Sequence, residues 1–162
     1  MITEDYILKL IRLATEFIAK ALGLAKEGDF LTSEQTMDNG IKDLTGLSLE
    51  TLKTLDSGSL VSMFGDDVSS VFVLAEFLKA VAYVELQKGS LDLYYIYLEK
   101  SLGLFLAIRQ YGDLQTEKPI IEIYNKTKEV ITDTILIKEL IEFFYDRGDA
   151  EETAILNSFL EK

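Results

Sequence analysis

From position 68 to 111 the chain reads VSSVFVLAEFLKAVAYVELQKGSLDLYYIYLEKSLGLFLAIRQY, its most apolar stretch, divided once at Lys88-Gly89-Ser90. Each half has the length of a long helix. The first half is apolar almost all round, with Val71, Phe72, Val73, Leu74, Phe77, Leu78, Val81 and Val84 interrupted mainly by Glu76, Lys79 and Glu85. A helix of that kind belongs at a centre, packed on several sides. The second half has few β-branched residues, so helix is favoured over strand for the run 91–108. Gly89 tolerates the positive φ of a tight helix-to-helix turn, and Ser90 is placed to cap the second helix, which should run to about Gln110.

Flanking helices should cover this hairpin. The first opens after Thr3, carries a stripe from Ile7 through Leu10, Ile11, Ala14, Phe17, Ile18 and Ala21 to Leu22, and stops at Gly28. The next is expected to be capped by Ser33, with Met37, Ile41 and Leu44 inward and Asn39-Gly40 inside or near its end. Ser48 caps a short unit, Ser57-Gly58-Ser59 breaks the chain, and 60–64 forms one more turn before Asp66 or Asp67 caps the central helix. Beyond Tyr111-Gly112-Asp113, Thr116-Glu117 opens a helix that tolerates Pro119 in its first turn and buries Ile120, Ile123, Tyr124, Thr127 and Val130. Thr132 or Asp133 caps the next, whose buried face is Leu136, Ile137, Leu140, Ile141, Phe144 and Tyr145. Gly148-Asp149 then turns the chain into a last short helix carrying Ala154, Ile155 and Phe159. Alternating strand patterns and linker-like segments are missing. The expectation is a single all-α domain over residues 1–162, a helical-hairpin bundle of about 7–9 helices centred on 68–111.

Composition narrows the chemistry. The 162 residues include no cysteine and no histidine. Disulfides, thiolate chemistry and the commonest zinc ligands and general bases are thereby excluded. The net charge of −12 and three scattered arginines, Arg12, Arg109 and Arg147, offer no basic stripe for nucleic acid or an anionic membrane. The longest apolar run, 93–108, is broken by Glu99-Lys100 and is short of the ~20 residues a membrane span needs. Acids near the N-terminus, where an export signal would be basic, predict a cytoplasmic protein.

Read from Gly89, GSLDLYYIYLEKSL resembles the turn and second helix of a tetratricopeptide repeat, through Gly89, Tyr97, Glu99, Lys100 and Leu102. Ala82 and Ser101 supply small residues for close helix approach, while Tyr94 stands where a small residue belongs. A fainter copy turns at Gly148, with Ile141 and Thr153 at the small positions. Two imperfect units fall below the three a solenoid usually needs, so a globular packing of the pair with the first helix is expected. Segments DYILKLI, DLTGLSLETLKTLDSGSLVSMF, VLAEFLKAVAYVELQKGS and FFYDRGDAEETAIL, in this order along the chain, also resemble a bacterial family catalogued as a domain of unknown function. That resemblance implies an all-helical, tetratricopeptide-like protein and carries over no catalytic residues.

In tetratricopeptide-like proteins the first helix of a hairpin lines the groove that holds a partner peptide. The resemblance thus implies a groove side formed by Glu76, Lys79, Tyr83 and Leu86 or Gln87. Independently, Glu76, Lys79 and Tyr83 follow a three-then-four helical step and make a narrow polar strip. The plainer reading is the solvated edge that any soluble helix needs. Tyr94, Tyr95 and Tyr97 cannot share one face, so at least one ring points away from the core or toward a partner; the plainer reading is core packing with hydroxyls at the edge. The acidic pairs Asp66-Asp67, Glu151-Glu152 and Asp146 with Asp149 are explained by capping, and no phosphate loop, calcium loop or nucleophile elbow occurs. Gly103 reads as a close-packing point. The expectation is a non-enzymatic interaction module with no cofactor, binding another protein, a peptide or a second copy of itself. The alternative is a ligand carrier or enzyme with a pocket between helices.

Overall fold

The computed structural model describes residues 4–111 and 114–161, so the proposed cap Thr3 and the closing Gly112-Asp113 lie outside the described residues. Among the described residues the regular structure is all-helical: α1 (Glu4–Lys26), α2 (Phe30–Thr45), α3 (Leu49–Thr54), α4 (Ser57–Phe64), α5 (Val68–Gln87), α6 (Leu91–Ala107), α7 (Glu117–Thr127), α8 (Thr134–Asp146) and α9 (Ala150–Leu160). No helix among them is long and apolar enough to cross a membrane.

The central position of α5 follows from its composition. Fourteen of its 20 residues are buried, and it packs against α6, α1 and α2, with α3 and α4 at its edges. Phe77, Leu74, Leu78 and Ala82 are fully inaccessible. Ser101 on α6 donates its hydroxyl to the Ala75 carbonyl at 2.7 Å, which requires the close approach that small residues at Ala82 and Ser101 permit.

Helix starts are set by short polar side chains that accept otherwise unpaired N–H groups. Asp29, Ser48, Asp56, Asp67, Asp133 and Asp149 do this for α2, α3, α4, α5, α8 and α9. Several sequence expectations are corrected here, among them the Ser90 cap, whose side chain makes no capping hydrogen bond to α6. Ser33 is no cap: it lies buried within α2 and donates to the Ala21 carbonyl of α1 at 2.7 Å. Ser57-Gly58-Ser59 is no break: Asp56 accepts the Ser59 N–H at 2.7 Å, and the three residues become the first turn of α4. α6 ends at Ala107, earlier than Gln110, and the Arg109 guanidinium donates back to the Leu106 carbonyl at 2.7 Å. Val130, Tyr145, Ala154 and Ile155 are exposed, and Leu156 carries the buried face of α9.

One turn is used three times. Gly28, Gly89 and Gly148 have φ of 84°, 83° and 76°, and each is followed by a residue with φ near −90° and ψ between 73° and 84°. In each, the residue after glycine donates to the carbonyl five residues back: Asp29 to Leu24, Ser90 to Glu85 and Asp149 to Phe144. Among the described residues this turn closes three hairpins, α1–α2, α5–α6 and α8–α9, their turns roughly 60 residues apart, wider than a single 34-residue repeat. The first is not marked as a unit by the sequence, yet its two helices approach closely where they cross. A methyl group on Gly40 would sit 2.7 Å from Cγ of Phe17 and 2.9 Å from Cζ of Phe77, so this residue, deep inside α2, is where α1, α2 and α5 converge.

Candidate functional site

The polar strip of α5 is present and largely satisfied within the chain. Glu76 and Lys79 pair at 3.7 Å, both partly buried. Tyr83 accepts a hydrogen bond from Lys126 of α7 at 2.5 Å, and the same ammonium lies 4.9 Å from the Tyr83 ring centroid. Burial pushes the Glu76 carboxyl above its ordinary range, opposed by Lys79 and reinforced by Glu122 of α7. Gln87 is exposed at the helix end. The four residues therefore share one side of α5, with α7 contributing both a cation and an anion beside them.

The tyrosines divide between faces. Tyr94 and Tyr97 are buried and Tyr95 is half-buried. Tyr94 lies 6.3 Å from the Tyr83 ring and 5.2 Å from that of Tyr95, so the residue that departs from the repeat pattern fills the space beside the strip. Glu85, a polar break in the sequence, is a buried charge. It faces Lys53 of α3 at 3.9 Å and Lys88 of the turn at 3.7 Å, and Lys88 also bonds Glu34 of α2. This ties α2, α3 and the α5–α6 turn together and leaves no lone ion inside.

On the opposite helix of the hairpin the arrangement differs. α6 floors an open cleft of about 540 Å³, with the end of α3 and α4 as one wall and the start of α8 as the other. Ile96 on the floor is 49 % exposed, and Ile135 on the wall is 70 % exposed. The floor is low at Gly103, where a methyl group would meet the Ser57 hydroxyl of α4 at 2.8 Å; the glycine lets the two helices touch, as a close-packing point should. Lys100 reaches across to donate to the carbonyls of Leu52 and Lys53, each at 2.8 Å. These carbonyls lie near the C-terminus of α3, where a cation is favoured. Burial lowers the Lys100 ammonium from its ordinary value, with Asp56 acting against that.

Acids dominate the rest of the cleft. Asp56 and Asp133 lie in it while capping α4 and α8. Glu99 and Glu139 also line it, and neither has an ion pair or hydrogen bond to another described residue. Burial raises the carboxyl of Glu99, with Asp133 adding to it. Burial likewise raises that of Glu139, opposed by Arg109 and reinforced by Glu142 and Asp133. Among the described residues no group of three or more acidic side chains is placed to hold a metal ion.

Of these residues the sequence had marked Glu99-Lys100 as an interruption, Asp133 as a cap and Gly103 as a packing point. Ile96, Ile135 and Glu139 were missed. The usable signal was an apolar residue off the buried stripe: Ile135 precedes the 136, 137, 140, 144 pattern and belongs to none of its steps. Comparison of the chain with protein-family models, with curated proteins and with solved structures finds no match.

Proposed function

We propose that the protein is a non-enzymatic interaction module that takes a segment of a partner protein into the cleft floored by α6. The observation that carries this reading is the pair of exposed isoleucines, Ile96 and Ile135, on the floor and wall of one cleft. A large aliphatic side chain gains free energy when its remaining surface leaves water, by roughly 25 cal/mol per Å². Apolar groups gathered in a concave site are where partner segments gain that free energy. The α5 strip supports the same class of function less well, because Glu76 has Lys79 and Tyr83 has Lys126.

Site-specific photo-crosslinking tests the reading. A photoreactive residue at Ile135 is expected to give a discrete heterologous adduct in cells. The same group at Leu8, which is 58 % exposed on α1, is expected to give none. Lys79→Glu with Tyr83→Ala should leave the Ile135 adduct intact. Absence of any adduct at Ile135, or the same adducts from both positions, rejects the cleft as the binding surface.

A further inference from the structure

The cleft is apolar at Ile96, Val61, Leu136 and Ile135, and its charge is one-sided. Both of its lysines are already engaged. Lys100 bonds the α3 carbonyls, and Lys53 faces Glu34 and Glu85. Among the described residues neither Glu99 nor Glu139 forms an ion pair, Arg109 near Glu139 is itself paired with Glu142, and Asp133 adds a third negative charge at the start of α8. Like charges brought together on a partly buried surface repel, and a ligand that supplies opposite charge relieves that repulsion.

We propose that the occupant of this cleft is a cationic amphipathic segment of a partner protein, its apolar side chains on Ile96 and Ile135 and its lysine or arginine side chains against Glu99, Asp133 and Glu139. This rests on the reading of the cleft as a partner-binding surface and specifies the partner's chemistry. A second copy of the chain is a poor occupant, because each copy brings a net charge of −12. An acidic segment would meet three carboxylates, Glu99, Asp133 and Glu139, none of them in an ion pair among the described residues. A purely polar basic segment would leave both isoleucines wet.

The test is fluorescence anisotropy on the full chain with labelled synthetic peptides about 15 residues long, near the minimum for a helix in water. One peptide alternates leucine and lysine/arginine on helical faces. A second replaces every basic residue by glutamate, and a third replaces every leucine by serine. The basic amphipathic peptide is expected to bind at least about tenfold more tightly than either twin, and to weaken as salt rises from about 50 to about 200 mM. Glu99→Gln with Glu139→Gln should weaken it about tenfold while leaving the fold intact, and Ile135→Ser should weaken it independently. Equal binding of the glutamate twin, still lost with Ile135→Ser, overturns the cationic assignment and leaves the cleft as a docking site. Basic-peptide binding unchanged in Glu99→Gln with Glu139→Gln shows general attraction to an acidic chain and also overturns the assignment. No binding of any peptide sensitive to Ile135→Ser removes the docking site itself.

Discussion

The two helices of the central hairpin are equally apolar in sequence and are treated differently by the fold. α5 is enclosed by α1, α2, α6 and the short helices, and its polar groups are answered from within the chain: Glu76 by Lys79, Tyr83 by Lys126, Glu85 by Lys53 and Lys88. α6 packs against α5, α7, α4 and α8 but leaves one strip of its surface open. That strip forms a floor on which Ile96 stays exposed and Glu99 has no ion pair among the described residues. Hydropathy alone thus does not tell a supporting helix from a presenting one. The difference lies in whether neighbouring elements complete the charges and cover the aliphatic groups.

The sharpest way to break this comparison is truncation on each side. Leu78→Ala on α5 removes a fully buried side chain and should cost about 3 kcal/mol, read as a lower urea midpoint. Ile135→Ser, at the cleft wall, should shift stability by no more than about 0.5 kcal/mol. Equal losses at the two positions would mean that the cleft is packed like a core.

Backbone space gives an intermediate effect. Gly40→Ala forces a methyl group against two aromatic rings and should destabilise by about 2 kcal/mol, although alanine is the better helix former. Gly23→Ala, in α1 with nothing within 4 Å of the added carbon, should stabilise by about 0.5 kcal/mol. Opposite signs in thermal or urea unfolding confirm that α2 meets α1 and α5 at Gly40, whereas matching signs contradict that contact.

The smallest effect is electrostatic. Glu99 and Glu139 have carboxyls raised by burial. A raised carboxyl binds its proton more tightly in the folded state. The contribution of these two groups to stability is therefore fully present below the ordinary carboxylate range and is lost as pH rises through the raised values. Glu99→Gln with Glu139→Gln should flatten that decline and raise Tm at neutral pH by about 1–2 °C. Glu76→Gln removes a raised carboxyl too, but also loses the Lys79 pair, so its Tm should move by less than about 1 °C. A larger gain from Glu76→Gln than from the double variant would reverse the contrast between the two faces.

Local signals made most helices and the central hairpin legible. The bounds of α5 and the start of α6 followed from the apolar run, the Asp66-Asp67 pair, of which Asp67 is the cap, and Gly89, and the α8–α9 turn from Gly148-Asp149. The signals that misled were also local. Ser33, Ser57 and Ser59 look like punctuation, and only tertiary contact or a neighbouring aspartate settles them. The α5 strip was legible because its members lie on one helix. The cleft was not, since its floor, walls and charges come from α3, α4, α6 and α8, and no spacing along the chain reports that Ile96 and Ile135 share a cavity.

The turn shared by Gly28, Gly89 and Gly148 bears on the order of assembly. Each closes a pair of helices adjacent in the chain, so each pair forms through short loops at low entropic cost, independently of the others. The slow part of folding is then expected to be the docking of these pairs. The last pair, α8–α9, joins the rest mainly through α6 and the side chains of α7. This pair should therefore detach first and dock last, and amide exchange across 134–160 is expected to be faster than in α5. One wall of the cleft should then be the last to be completed.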